Sequence, residues 1–575
     1  MLFLYKVCWD QSTMASVVSA HLSLLLLLFM MKNAASINAT DGPIAKTQFG
    51  PVKGIYADEA AIFFGLPFGM PPVGEMRWKP PQPFHTSWAP STYDATFPRP
   101  GCYQDDCGAA PDPDIKQACP QDGKFSEDCL HLNIFTPLPF NPMEKLPVVI
   151  WFPGEQYVYG SANSFLFDGR FLASKTHAIV VTTNYRLGAL GCLVAGEGDG
   201  AAKGNYGTLD QITAMQWVQS NIRSFGGDKD QVTIMGQSSG ADSVALHLMG
   251  DDTENLFQRA VMMSVPFHFP HKTQNQAAKL GQSFARYLNC TSGDMACMRN
   301  ASPQHIIDVQ WKAMAVDPFQ LAEKYVKWAP IVDGKILTSQ DDLDIFLQGK
   351  FQKKPFIIGS TTDDAFPLIY EAWQKNMTKE QYQQVLDTIL MGKASEVLKE
   401  YPPALTGDER PTLANLATDM FYTCPTRTAI RSAITHGTTD VWLYHFDHVV
   451  KGKDLWPHQD QVCYEKVCHG SDLPFLLQTL PLFGPKMTDL EQSMADDMAL
   501  YFGNFIHTGD PNGQPHQASI HQPDHFHGSP RPSSIYWPKY SKEGGYMNMK
   551  FTTSGTQLEQ GYRSQKCDFW DTISS

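Results

Sequence analysis

The sequence is short of cations, of linkers and of internal repetition, and each shortage removes a class of function. Lys and Arg number 45 against 59 Asp and Glu, a formal net charge of −14. Phosphate backbones are held by clustered cations, so no nucleic-acid partner is expected. The chain has no long Gly/Ser linker, no block of like charge, and no repeat at the roughly 20 to 50 residue period of solenoids and propellers. One continuous domain over residues 37–575 is therefore expected after an N-terminal leader. Long apolar runs are missing too, except ASVVSAHLSLLLLLFMM (residues 15–31), which follows Lys6 and precedes the small residues of KNAAS. Its strongest part, Leu22 to Met31, falls short of the roughly 20 apolar residues that a membrane span requires. It reads as a signal peptide over about residues 1–36, with an uncleaved signal anchor as the alternative. Met14 is a second candidate start, and no membrane span is expected once the leader is removed.

What remains is globular material: 43% hydrophobic, 12% aromatic and 18% charged residues, enough for a large core. Of twelve cysteines, Cys8 lies in the leader and Cys192 in a hydrophobic run, and the others are free to pair as secretion allows. Proximity in sequence suggests Cys290 with Cys297 and Cys463 with Cys468. Sequons at Asn38, Asn289, Asn300 and Asn376 point the same way, toward a secreted glycoprotein.

Apolar, β-branched runs recur with helical stretches between them: LPVVIWF (146–152), AIVVTTNY (178–185), QVTIMG (231–236), PFIIGS (355–360) and VWLYHF (441–446). Runs apolar on both faces suit parallel strands buried under helices. DQITAMQWVQSNIRSF (210–225) has apolar residues at helical spacing and reads as a crossover helix. The expected fold class is α/β.

In QVTIMGQSSGADSVALHLM a strand candidate runs directly into GxSxG and then into a helix candidate, with Gly236 and Gly240 flanking Ser238. Small residues are needed there because the turn is tight and strand and helix approach closely behind the serine. A serine hydroxyl needs a histidine base oriented by a carboxylate, and in α/β-hydrolases these follow in the order Ser, acid, His. Asp364, just past a strand candidate, and His469, in VCHGSDLPF, occur in that order, although eighteen histidines are present and order alone does not select one. Asp363 is a weaker candidate acid and is expected to be solvated.

Taken together, these segments resemble the carboxylesterase and cholinesterase family of α/β-hydrolases (type-B carboxylesterases). FGLPFGMPPVGEMRW (64–78) is similar to the family's N-terminal signature and SEDCLHLNIFTP (126–137) to its disulfide segment. NYRLGALG, GNYGTLDQ, FGGDKDQVTI and WAPIVDG follow in family order, and HTGDPN and CDFWD stand near the end. The resemblance implies an α/β-hydrolase sheet, mostly parallel, with helices on both faces. It also implies Ser238 as nucleophile, Asp364 as acid and His469 as base, with Asp where the family usually has Glu. The implied disulfides are Cys102–Cys129, Cys290–Cys297 and Cys424–Cys567. Cys107–Cys119 would be an extra bridge, and Cys463–Cys468 a brace before His469.

One departure bears on activity. After Trp151 and Phe152, where relatives carry a glycine run, this chain has Pro153, Gly154, Glu155 and Gln156. The implied oxyanion donors are the N–H groups of Glu155, Gln156 and Ser239. Non-glycine residues keep those donors but cost about 1 to 2 kcal/mol each where positive φ is needed. One misaligned donor costs roughly 3 to 4 kcal/mol of transition-state stabilisation. The expectation is a secreted serine carboxylic-ester hydrolase working through an acyl-enzyme, slow or selective, with a small-molecule ester substrate and neither metal nor organic cofactor. The alternative is a catalytically impaired extracellular binding or structural relative. HQPDHFHG (521–528) lacks a zinc-ligand spacing. Choline esters are disfavoured: Cys119 stands roughly where choline-binding relatives have tryptophan, and Gln237 where they have Glu. VPFHFP (265–270) falls where relatives shape the acyl pocket, and its aromatics suit either an apolar acyl group or packing. The sequence sets no oligomeric state.

Overall fold

Strands apolar along their whole length must bury both faces, and in the computed structural model described here they do so in one 11-stranded sheet. The structure describes residues 42–105, 119–313, 325–390, 392–450, 456, 458–484, 486–513 and 535–573. The expected leader, Asn38, Cys107 and the segment 521–528 lie outside them. In chain order the sheet strands are β1 (Ile55–Ala57), β2 (Ala60–Pro67), β3 (His131–Pro137), β4 (Leu146–Phe152), β5 (Ile179–Thr183), β6 (Gly227–Gln237), β7 (Arg259–Met263), β8 (Phe356–Thr361), β9 (Val441–Phe446), β10 (Met547–Phe551) and β11 (Gln557–Gln560). Their spatial order is β11-β10-β9-β8-β7-β6-β4-β5-β3-β2-β1. From β5 through β4 and β6 to β10 all neighbours are parallel, and both edges are antiparallel.

Side chains alternate across a strand, so each run divides between two cores. Val148, Ile150 and Phe152 of β4 join Ile234 and Ile358 on one face, whereas Val149 and Trp151 join Met235 and Val261 on the other. The first face is covered by α1 (Tyr206–Asn221), α2 (Ser239–Met249) and α3 (Cys424–Thr435), through Met215, Val244 and Ile430 among others. The second is covered by α4 (Asp489–Thr508), which packs Met498, Phe502 and Phe505 onto it. A last helix, α5 (Ser564–Ile573), closes the chain, and Pro43–Ser575 pack as one unit. No helix among the described residues is long and apolar enough to cross a membrane.

The motif segments prove to be partners in space. Arg77 of EMRW donates from Nε and Nη2 to the two carboxylate oxygens of Glu127 in SEDC, at 2.6 and 2.5 Å. Arg186 of NYRLG does the same to Asp210 of TLDQ, with both distances 2.7 Å. Such planar two-point pairs fix orientation as well as charge, and Asp210 is fully buried. Disulfides join Cys102 to Cys129, Cys290 to Cys297, Cys424 to Cys567 and Cys463 to Cys468. Cys192 is free and buried, and Cys119 is disulfide-bonded. Asn289, Asn300 and Asn376 are exposed.

The Cys424–Cys567 bridge spans 143 residues and ties α3 to α5. Restoring that loop's freedom to the unfolded chain by the double substitution Cys424→Ser/Cys567→Ser should cost about 2 to 5 kcal/mol, read as a lower denaturation midpoint in urea.

Candidate active site

The parallel strands β4, β6, β7 and β8 end on one edge of the sheet, where α/β folds place their sites. At the end of β6 the chain turns sharply: Ser238 has φ 57° and ψ −129°, outside the regions that L-residues ordinarily occupy. Its N–H donates to Met263 O at 2.9 Å, and its carbonyl accepts from Asp242 N at 2.9 Å, opening α2. Glycine at both flanks is a steric necessity. A Cβ on Gly236 would lie 2.3 Å from Gly240 O, and one on Gly240 would lie 2.2 Å from Phe152 O.

Asp364 follows β8 and is buried. Its Oδ2 accepts from Thr361 N at 2.9 Å and from Ser264 Oγ at 3.1 Å, while Oδ1 faces His469 Nδ1 at 2.7 Å. A carboxylate only accepts, so Nδ1 carries the proton and Nε2 is left as the basic nitrogen. The shorter Asp thus reaches the imidazole without strain on the hydrogen bond. The residue after His469 packs on the residue before Ser238: a Cβ on Gly470 would lie 3.7 Å from Gln237 Nε2.

Burial works against the charged imidazolium of His469, but Asp364, Glu155 and Asp472 together outweigh it, so its pKa lies above the ordinary value. Asp472 accepts from Tyr444 OH at 2.7 Å and is itself pushed up to about 6, chiefly by burial. Tyr422 lies against the His469 ring at 5.2 Å. Ser264, Tyr422, Tyr444 and Asp472 escaped the sequence reading, because nothing in their local sequence signals that four distant segments meet here. Asp363 corrects one expectation. It is not solvated but 8% exposed, with Oδ2 accepting from Val467 N at 3.0 Å. It therefore braces the base-bearing loop, beside the Cys463–Cys468 disulfide.

The loop after β4 does need positive φ, and it adopts it three times in succession without glycine: Glu155 at 91°, Gln156 at 58° and Tyr157 at 62°. Each such residue costs about 1 to 3 kcal/mol and persists only where the surroundings over-determine it. Here they do. Pro153 O accepts from Tyr185 OH at 2.5 Å, and Glu155 O accepts from the N–H groups of Val158 and Tyr159, both at 3.1 Å. Tyr157 N–H donates to Ser239 Oγ at 3.2 Å, and Tyr157 OH donates to Asp242 Oδ2 at 2.6 Å, so the loop is bound to the first turn of α2. Gly154 remains glycine for a reason: a Cβ there would lie 2.4 Å from Gln237 O. The Glu155 carboxylate of this half-buried loop is near enough to act electrostatically on both His469 and Tyr185.

The aromatics of VPFHFP serve packing. Phe267 and Phe269 are buried in two different core clusters, and Phe269 lies 4.4 Å from Phe421 between ring centroids.

A sequence model described as the carboxylesterase family matches residues 41–570. Among the most similar curated proteins, the "Crystal protein" of Dictyostelium discoideum is 32% identical over 91% of this chain and 90% of its own length. "Carboxylesterase 4A" of Bos taurus is 29% identical over 96% of this chain and 98% of its own. The "Acetylcholinesterase" of Bungarus fasciatus is 29% identical over 95% and 89%.

The Glu155 carboxylate makes a specific prediction. Glu155→Gln removes a charge that favours the imidazolium, so the His469 titration should move to lower pH, and Asp364→Asn should move it further. Nuclear magnetic resonance of 13C-labelled histidine reads both shifts; a His469 curve unmoved by Glu155→Gln would mean that this carboxylate faces away.

Proposed function

The chain belongs to the carboxylesterase family, and from that footing we propose that it is a secreted serine ester hydrolase acting on apolar, non-choline esters through an acyl-enzyme. The observation that carries the reading is the 2.7 Å hydrogen bond from His469 Nδ1 to a buried carboxylate, made by a loop that packs beside the Ser238 turn. In the proposed mechanism His469 Nε2 removes the Ser238 proton as Oγ attacks the ester carbonyl, while Asp364 stays ionised and stabilises the imidazolium. The tetrahedral adduct places its negative oxygen toward the N–H groups of Glu155, Gln156 and Ser239. Collapse expels the alcohol, which takes the proton from His469, and water repeats the sequence to release the acid.

The disulfides and the exposed asparagines of three sequons support secretion, with the leader removed and the remainder working as one hydrolase domain. Two features support a slow or selective enzyme. The oxyanion loop holds positive φ without glycine, and Glu155 sets a negative charge where an oxyanion must be stabilised. The raised pKa of His469 supports activity that rises as pH climbs past the usual histidine range, because only the neutral imidazole accepts a proton. The same Glu155 carboxylate favours a second reading, a scaffold retained for extracellular binding after its chemistry lapsed.

Secreted protein treated with a fluorophosphonate probe and with nitrophenyl esters of graded acyl length separates the two. Labelling at Ser238 with ester turnover is expected, and Ser238→Ala should lose the label and at least about four orders of magnitude in kcat with an unchanged melting temperature. Folded wild-type protein that neither labels nor turns over any ester would establish the scaffold instead.

A further inference from the structure

Against α3 lies a cavity of about 210 Å³ that the ester chemistry does not use, lined in part by Thr423, Thr426, Arg427, Arg431, Tyr540 and Tyr562. Thr423 ends the π-turn that leads into α3, and Thr426, Arg427 and Arg431 follow at spacings that put them along one helical stripe. Gln560 and Gly561, also in its lining, are exposed, so the cavity communicates with solvent. Four lining residues each have a buried polar atom without a hydrogen-bond partner in the protein: Thr423 Oγ1, Thr426 Oγ1, Arg427 Nε and Arg431 Nε. Folded interiors leave such atoms unpaired rarely, and four around one cavity call for a common partner.

All four can donate, and two belong to guanidiniums. Arg427 commits its outer nitrogens to Asp568 at 2.7 Å and Asp571 at 2.5 Å, which leaves Nε over. Arg431 is in no ion pair among the described residues and lies over the Tyr546 ring, 4.4 Å from its centroid. The two guanidiniums act on one phenol: burial raises the pKa of Tyr540, while Arg431 and Arg427 pull it back. Water alone would satisfy hydroxyls but would leave the Arg431 charge uncompensated.

We propose that this cavity binds a small oxyanion of the phosphate or sulfate type, with Arg431 supplying the unneutralised charge and Arg427 Nε, Thr423 and Thr426 supplying further donors. A tetrahedral oxyanion has acceptor lone pairs for all four and matches the planar guanidinium fork. Ser238, Asp364 and His469 are not among its lining residues, so the proposal holds whether or not the chain hydrolyses esters.

Titration calorimetry of the full secreted chain with inorganic phosphate and with sulfate, against chloride at equal ionic strength, tests the assignment. One phosphate or sulfate per chain should bind. Arg431→Gln should weaken it at least about tenfold and Thr426→Val, which removes one hydroxyl at nearly constant shape, about threefold or more. Circular dichroism verifies folding of each variant, and if Arg431→Gln fails to fold, Arg431→Lys replaces it, since it keeps the charge but loses the fork. Binding of neither anion above the chloride control, or wild-type affinity in the folded variants, would overturn the proposal.

Discussion

The whole site depends on how closely one strand and one helix can cross behind a serine. With Gly236 and Gly240 so near that neither tolerates a methyl group, α2 can start immediately after β6 and hold Ser238 in a conformation that its own backbone disfavours. That crossing also sets its neighbours. Phe152 O approaches Gly240, Gln237 O approaches Gly154, and Gly470 packs on Gln237, so the loop after β4 and the loop bearing His469 are both positioned against the same turn. A larger residue at Gly154, Gly236 or Gly240 would displace backbone, for which a packed interior has no spare room.

The loop after β4 shows that conformation, not residue type, is what such a position demands. Glycine reaches positive φ without cost, yet here Glu155, Gln156 and Tyr157 hold it because tertiary hydrogen bonds outweigh the local preference. Tyr157, the residue after Glu155 and Gln156, is the pivotal anchor. Its N–H and its hydroxyl both bind α2, through Ser239 and Asp242. The exchange also brings a carboxylate into the site. Glu155, Asp364 and Asp472 together set negative charge around the half-buried His469, and this outweighs the desolvation that would otherwise favour the neutral ring.

A different electrostatic balance holds at α3. There two guanidiniums gather under a cavity while the carboxylates that could neutralise them, Asp568 and Asp571, engage Arg427 alone. A chain of net charge −14 thus keeps one guanidinium, Arg431, outside any ion pair among the described residues, on the helix that the Cys424–Cys567 bridge ties down.

Much of this was written in local pattern. LPVVIWF and VWLYHF became strands at their expected bounds, because an uninterrupted β-branched run has few other ways to bury itself, and GxSxG between strand and helix marked the turn. The family resemblance singled out Asp364 and His469, which chain order alone did not. Hidden from the sequence were Asp363 as a buried brace, the partnership of Ser264, Tyr422 and Asp472 with the site, the triple positive φ, and the convergence of Thr423, Thr426, Arg427, Arg431 and Tyr562. Periodicity and steric need are properties of neighbours along the chain, so the sequence by itself determined the fold class, the strand runs and the strained serine. Which way a carboxylate faces, what a hydroxyl is left to bond and what supports a strained loop depend on groups hundreds of residues apart, and only the tertiary structure decided those.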